Sequence, residues 1–192
     1  SGSSVSVLLN NGMGSLVKQM VDVSVSANPQ YVAVADMDGD GLSDMVVTHA
    51  PGTGPSLLIG NGDGTFKPPT ILTNALGNTQ YIQLGDYNGD NKNDILVRFV
   101  AAQRMAFLPG MGNGTFGPQA LSTTNSASAD IEFGDLDRDG LTDAVVANRS
   151  SNNVTIYYGV SGGAGPFSAT ANVTLATGVQ PYSAAVGDVN GV

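Results

Sequence analysis

The sequence predicts an all-β protein built from a repeat of about fifty residues. Residues that favour strands, chiefly Val, Ile, Thr and Tyr, occur in short bursts between segments rich in Gly and Asn. Glycine accounts for 26 of the 192 residues, whereas Glu132 is the only glutamate. This composition favours many short strands joined by turns over a helical fold.

Two motifs recur in step and define the repeat. The first is an acidic loop that begins, at spacings of 50, 49 and 53 residues, with Asp36, Asp86, Asp135 and Asp188. The second is an apolar strand followed by a glycine-rich turn, with the copies LLNNGMGSL (8–16), LLIGNGDGTF (57–66), FLPGMGNGTF (107–116) and IYYGVSGGAGPF (156–167). Two motifs that keep the same phase over nearly four periods indicate repeated structural units.

Each unit is predicted to contain four short strands. In the second full unit these strands span 80–86, 94–100, 104–110 and 115–122. Gly-Asn-Gly sequences between the third and fourth strands supply the positive φ angles that tight hairpins need. Four strands in about fifty residues is the size of one blade of a β-propeller.

The repeat divides the chain into three full blades and two incomplete ones. The predicted segments are a half blade with strands three and four (1–26), three blades (27–75, 76–125 and 126–178) and the start of a further blade (179–192). A piece of a longer array of repeats would begin and end within blades in this way. The same division is also compatible with a partial propeller that is completed within one ring or by another subunit.

The segments YVAVADMDGDGLSDMVVTHAPGTGPSLLIGNGDGTFKPP (31–69) and QPYSAAVGDVNG (180–191) resemble VCBS/FG-GAP repeats, the blades of integrin-α-like β-propellers. The resemblance covers practically the whole chain, because the acidic loop, the hairpin motif and their separation recur together. It implies a calcium-stabilised and usually extracellular propeller of the kind found in adhesion and ligand-binding proteins.

The acidic loops follow the pattern D-x-[DN]-x-D-x-x-x-D, in loop one (36–44), loop two (86–94) and loop three (135–143). A tightly wound backbone brings the side-chain oxygens of positions 1, 3, 5 and 9 and the main-chain carbonyl of position 7 to one point, and such hard oxygen ligands suit Ca²⁺. The predicted ligands of about three calcium ions are Asp36, Asp38, Asp40, the carbonyl of Leu42, Asp44, Asp86, Asn88, Asp90, the carbonyl of Lys92, Asp94, Asp135, Asp137, Asp139, the carbonyl of Leu141, and Asp143.

The same clusters could instead be Asx-rich turns without an ion. Three clusters with one ligand pattern at one blade position favour the metal, because carboxylates this close repel each other unless a cation compensates them. Loop two has Asn88 in place of a carboxylate and Lys92 beside the ligands, so we expect the weakest affinity there. A fourth loop begins with Asp188 and Asn190 and is incomplete.

Position 6 of each loop calls for a backbone with a positive φ angle. Gly41 and Gly140 occupy this position in loops one and three. Asn91 takes it in loop two, and Asn is the residue that tolerates such a conformation next best.

Other function classes have little support in the sequence. The net charge of −9 and the lack of a basic stripe argue against nucleic acid, and no apolar run approaches the ~20 residues of a membrane span. The carboxylates outside the loops, at 22, 63, 130 and 132, form no repeated pair of the kind that glycoside hydrolysis uses. His49 lies in a predicted blade loop without a nucleophile elbow. We therefore expect no catalytic residue and no enzymatic activity.

Tyr31, Tyr81 and Tyr182 lie at the predicted start of the first strands of their units. They could line a glycan site, although packing between blades is the favoured interpretation. Four sequons would accept glycans in a secretory pathway and weakly favour an extracellular setting, namely those of Asn113, Asn148, Asn153 and Asn172.

We therefore expect a calcium-stabilised extracellular recognition or adhesion module that binds a protein or a glycan. One alternative is an architectural subunit that self-associates into a fibre or stalk through contacts between blades. Another is a non-catalytic propeller domain of a larger secreted enzyme.

Overall fold

The computed structural model describes residues 3–18, 22–49, 53–72, 79–99, 104–123, 128–161, 165–168 and 173–187. All regular secondary structure in these ranges is β-strand, and they contain no helix long and apolar enough to cross a membrane. The strands are β1 (Ser4–Val5), β2 (Leu8–Asn10), β3 (Leu16–Lys18), β4 (Val23–Ser24), β5 (Pro29–Ala35), β6 (Asp44–His49), β7 (Ser56–Leu58), β8 (Thr70–Ile71), β9 (Thr79–Gly85), β10 (Asp94–Phe99), β11 (Arg104–Leu108), β12 (Ala120–Thr123), β13 (Ser128–Gly134), β14 (Asp143–Asn148), β15 (Asn153–Tyr157) and β16 (Val173–Ala176).

Twelve of these strands form three four-stranded antiparallel sheets, which confirms the predicted all-β fold of propeller-type blades. Each sheet is a meander whose spatial order follows the chain: β5-β6-β7-β8 is the first blade, β9-β10-β11-β12 the second and β13-β14-β15-β16 the third. Each acidic loop connects strand one of a blade to strand two. The predicted segment boundaries at 75/76 and 125/126 lie outside the described residues.

Hydrophobic layers between the blades hold them together. Ala33 of β5 packs in the same cluster as Ile82 of β9, which joins the first blade to the second. Phe107 of β11 packs with Ile131 of β13, which joins the second blade to the third. The second sheet therefore contributes apolar side chains to both of its neighbours, and strand two is buried along its whole length in the first and third blades.

The residues predicted as an N-terminal half blade form two short two-stranded ladders, β1 with β4 and β2 with β3. The pair of Asn10 and Leu16 in the second ladder matches, fifty residues later, the bridge between Gly60 and Phe66 in the first blade. Val5 and Val23 of these ladders pack on a buried cluster that contains Met45 and other residues of the first blade.

The fourth strand of the second blade differs from the prediction of 115–122. The structure places it at Ala120–Thr123, and Phe116 makes only an isolated bridge to Gly110. Pro118 interrupts the predicted strand, because proline has no N–H to donate to a sheet ladder. The prediction therefore merged a turn residue and a true strand into one element.

His49 was predicted to lie in a loop, but it is the last residue of β6. Its side chain is buried, and its Nε2 lies 2.8 Å from the Ser56 hydroxyl oxygen on β7. Burial lowers the pKa of His49, so the imidazole is neutral near pH 7. It is a packed polar residue within the first blade.

The tyrosines divide between two environments. The rings of Tyr31 on β5 and Tyr81 on β9 lie 5.1 Å apart, which confirms packing between the first and second blades. Tyr182 is 72% exposed, and the guanidinium of Arg149 lies 5.4 Å from its ring centroid. Packing between blades therefore describes the first two tyrosines and not the third.

Candidate metal centres

The backbone of each acidic loop is wound around the aspartate at position 1. In loop one, Oδ1 of Asp36 accepts a hydrogen bond from the Gly39 amide (2.7 Å), and Oδ2 accepts one from the Gly41 amide (2.9 Å). The matching bonds run to Asp86 from Gly89 (2.8 Å) and Asn91 (2.8 Å), and to Asp135 from Arg138 (2.7 Å) and Gly140 (3.0 Å). All three loops thus share one conformation, which their shared sequence pattern dictates.

The conformation predicted for position 6 is confirmed. The φ angles of Gly41, Asn91 and Gly140 are 82°, 62° and 85°. Position 4 adopts the same left-handed backbone, and in loop three the residue there is Arg138, with a φ of 64°. Residues other than Gly and Asn rarely adopt this left-handed backbone conformation, so the rest of the loop must hold Arg138 in it.

The aspartate at position 9 links the loop to the hairpin that follows it. Asp44 is completely buried, and its Oδ2 accepts a hydrogen bond from the Met37 amide while its Oδ1 accepts one from the Gly60 amide, both at 2.8 Å. The same pairs of bonds reach Asp94 from Tyr87 (3.0 Å) and Gly110 (2.7 Å), and Asp143 from Leu136 (2.7 Å) and Gly159 (2.7 Å). One carboxylate therefore joins the acidic loop to the hairpin turn, whose glycine lies sixteen residues after the aspartate.

Side-chain oxygens from several positions converge in each of two loops. One oxygen from each of three carboxylates lies within 4.8 Å of the others in loop one and again in loop three, in the groups Asp36, Asp38 and Asp40, and Asp135, Asp137 and Asp143. Oxygens at such separations can contact one cation at 2.3–2.6 Å. In loop two, Asn88 supplies an amide oxygen at the matching position, and this oxygen accepts a hydrogen bond from the Asp90 amide (2.9 Å).

The remaining predicted ligands lie in the same loops. The aspartates at position 5 accept hydrogen bonds from the amides of the residues at position 7, with the pairs Asp40 and Leu42 (2.8 Å), Asp90 and Lys92 (3.0 Å), and Asp139 and Leu141 (2.8 Å). All the ligand assignments, those of the carbonyls at position 7 included, stay predictions. The fourth loop, with Asp188 and Asn190, lies outside the described residues.

Burial and like charge raise the pKa of several loop carboxyls. Desolvation is the largest cause for Asp38 and Asp137, and neighbouring aspartates add to it. Burial also raises the pKa of Asp94 to about 6, because desolvation outweighs its two amide hydrogen bonds, and the charges of Asp90 and Asp86 add smaller contributions. At mildly acidic pH a proton therefore competes with any cation for Asp94.

The sequons occupy different environments. Asn148 is completely buried, and its amide nitrogen donates to Asn153 (2.9 Å) and Thr155 (3.0 Å). A glycan on that nitrogen would replace these bonds, so the fold argues against Asn148 as an acceptor. Asn113 is exposed, and Asn172 lies outside the described residues.

The sequence analysis did not identify the glycines whose backbone amides donate to the aspartates at position 9. A side chain at Gly60 would overlap the carbonyl oxygen of Ser43, and one at Gly110 would overlap that of Asn93. A side chain at Gly159 would overlap the Cβ of Leu141 and the carbonyl oxygen of Thr142. A constant spacing of sixteen residues from each aspartate to its glycine was the signal in the sequence that could have identified them.

Comparison with protein families gives a match to the FG-GAP-like repeat at residues 36–97 and 135–191. The chain belongs to this family. Its fold is similar to that of an Agrocybe aegerita lectin described as recognising non-reducing terminal N-acetylglucosamine, with a TM-score of 0.61 and 21% identity over 87% of this chain. The FG-GAP-like chain spans 45% of the length of that lectin chain.

A weaker likeness, with a TM-score of 0.41 and 16% identity, is to the pore of the Tc holotoxin of Photorhabdus luminescens, over 91% of this chain and 11% of that one. The curated proteins contain no match.

The close packing around these glycines predicts that a single added methyl group lowers the stability of the fold. Gly60→Ala should lower the free energy of unfolding by about 1–3 kcal/mol, because the new methyl group forces the hairpin away from Ser43. Gly178→Ala is the matched control, since a methyl group there meets nothing within 4 Å. Urea denaturation of both variants checks this, and equal stabilities would contradict it.

Proposed function

We propose that this chain is a calcium-stabilised, non-enzymatic recognition module of an extracellular protein and that it binds a glycan. The observation that carries the calcium part is the recurrence of one backbone-held carboxylate loop at the same place in three blades. We assign calcium a structural role, in which it offsets the crowded negative charge of each loop and fixes the connection between strands one and two.

The donor set supports calcium over magnesium. All the side-chain ligands are carboxylate or amide oxygens, and within each of loops one and three, one oxygen from each of three carboxylates lies within 4.8 Å of the other two. Calcium accepts six to eight such ligands at 2.3–2.6 Å in flexible geometry, whereas magnesium requires near-octahedral geometry at 2.0–2.1 Å and retains water. Extracellular modules of this kind work with dissociation constants of ~10⁻⁴–10⁻³ M, which fits the proposed location.

The glycan part rests on the fold and on the aromatic residues. The A. aegerita lectin with a similar fold recognises terminal N-acetylglucosamine, and it supports a saccharide ligand here. Tyr31 is 42% exposed beside Tyr81, so an aromatic surface is accessible to a ligand. Tyrosine is well suited to such contacts because it combines an apolar ring with a polar hydroxyl.

A fibre or stalk subunit is the second candidate, and one surface favours it. An apolar groove of about 570 Å³ lies between the N-terminal ladders and the first blade, with Leu8 and Leu9 on one side and Val32 and Val34 on the other. Val32 is 45% exposed and Val34 is 60% exposed. A contiguous apolar surface of this kind supports contacts between copies.

Removal of calcium should lower the melting temperature. Ion binding favours only the folded state, and each site contributes about 2.7 kcal/mol when free calcium is about 100 times its dissociation constant. Scanning calorimetry with EDTA, and then with excess calcium, measures the loss and its recovery. Asp38→Asn should reduce the calcium effect, whereas Asp63→Asn should not, because Asn113 makes the same turn contacts in the second blade that Asp63 makes in the first. An unchanged melting temperature in EDTA would refute the calcium role.

Loop two should bind calcium most weakly, because it has one carboxylate fewer than the other loops. Asn88→Asp completes the set and should tighten that site by about fivefold to tenfold, which isothermal titration calorimetry can follow. Asn113→Asp adds the same charge outside the acidic loops and serves as the control. Loop two filling first in the unmodified protein would contradict this ranking.

The recognition module and the fibre subunit predict different solution behaviour. Calcium-loaded protein should run as discrete monomers in size-exclusion chromatography with light scattering, and should bind chitotriose, a trimer of N-acetylglucosamine, in a saturable calorimetric titration. Polymers without saccharide binding would instead establish the fibre subunit.

A further inference from the structure

The end of the blades opposite the acidic loops carries a row of equivalent positions. Four residues lie five positions before the first aspartate of their units, and these are Tyr31, Tyr81, Asp130 and Ser183. Tyr31 pairs with Thr48, Tyr81 with Arg98 and Asp130 with Ala147, so the first three occupy the same register in their sheets. We refer to these four residues as the opposite-end row.

Members of the opposite-end row contact each other across blade boundaries. The rings of Tyr31 and Tyr81 are 5.1 Å apart at 50°. The Ser183 hydroxyl donates to Oδ2 of Asp130 at 2.7 Å, and the Ala184 amide donates to the same oxygen at 3.1 Å. The row therefore forms two contacting pairs on consecutive blades, one aromatic and one polar.

Polar groups border the aromatic pair. The Gln83 amide donates to the Tyr81 hydroxyl at 3.1 Å. Arg98 lies directly across the ladder from Tyr81, half-buried, and the charge of Asp130 opposes the lowering of the Arg98 pKa by burial. Asp130 and Glu132 also contribute to the raised pKa of Tyr81, for which desolvation is the largest cause. An aromatic face, a guanidinium, two carboxylates and an amide thus share one region.

The two ends of the blades differ in how regularly their residue types and contacts recur. In the acidic loops, the aspartates at positions 1 and 9 accept backbone amides, and the same bonds recur in every blade. At the opposite end, the equivalent positions hold Tyr, Tyr, Asp and Ser. The residue types therefore change from blade to blade at this end, where Asp130 accepts the Ala184 amide and tyrosine occupies the same position in the first two blades.

We propose that the opposite-end row, with Gln83 and Arg98, binds an uncharged saccharide. A pyranose ring has an apolar C–H face that can pack on Tyr31, and its hydroxyls both donate to carboxylates and accept from a guanidinium or an amide. Two carboxylates beside one guanidinium disfavour an anionic sugar. The cavity between Gln83, Arg98 and Phe133 is only about 10 Å³, so the sugar lies on the surface of the row and not in a deep pocket.

This inference rests on the proposed glycan-binding function, and calorimetry with chitotriose on the calcium-loaded chain tests it. Tyr31→Leu keeps apolar volume against Tyr81 but removes the ring, and it should weaken binding by about fivefold or more. Tyr31→Phe keeps the ring and should bind within about twofold of the unmodified protein. Met111→Ala, an exposed change at the acidic-loop end, is the control and should leave binding unchanged.

The possible results distinguish failure of the proposed binding site from failure of the proposed glycan-binding function. If the unmodified protein binds chitotriose and Tyr31→Leu binds it equally well, the opposite-end row is not the site, although the glycan-binding function stands. If the unmodified protein does not bind chitotriose, the proposed function fails and the site fails with it. Equal melting temperatures of the Leu and Phe variants exclude loss of folding as the cause of a difference between them.

Discussion

A buried carboxylate that accepts two backbone amides is the interaction on which each blade depends. Asp143 takes one hydrogen bond from Leu136, within its own loop, and one from Gly159, at the end of the third strand, both at 2.7 Å. Hydrogen bonds to a charged acceptor are stronger than neutral ones, and loss of the carboxylate would leave two amides without partners. The loop, the second strand and the following hairpin are therefore fixed by one side chain.

The same arrangement concentrates negative charge in each acidic loop, and this charge is the reason for proposing a bound cation. Backbone amides hold Asp36 in place on both of its oxygens, so the conformation of the loop is fixed by hydrogen bonds to this carboxylate. The charged form of a loop carboxylate remains costly, because burial, with smaller contributions from nearby aspartates, raises the pKa of Asp94 to about 6. A structural calcium would offset the charge at the acidic-loop end of the blades, whereas the equivalent positions of the opposite end hold Tyr, Tyr, Asp and Ser.

Local features were predictable from the sequence, whereas contacts between distant segments were not. Gly41 and Asn91 were expected to have positive φ angles, because their loop positions permit little else. The contact of Asp94 with Gly110 spans sixteen residues and depends on how the hairpin folds back. The hydrogen bond from the Gln83 side chain to the Ile131 carbonyl oxygen (3.5 Å) forms only because the second and third blades pack side by side, and no short-range pattern encodes it.

Anomalous diffraction can decide whether the repeated loops are calcium sites. Crystals grown with calcium and measured at a long wavelength locate the ion without assumptions about ligands. We expect one calcium peak within each of loops one, two and three, surrounded by the oxygens of positions 1, 3, 5 and 9. Ordered loops with no anomalous peak at saturating calcium would contradict it.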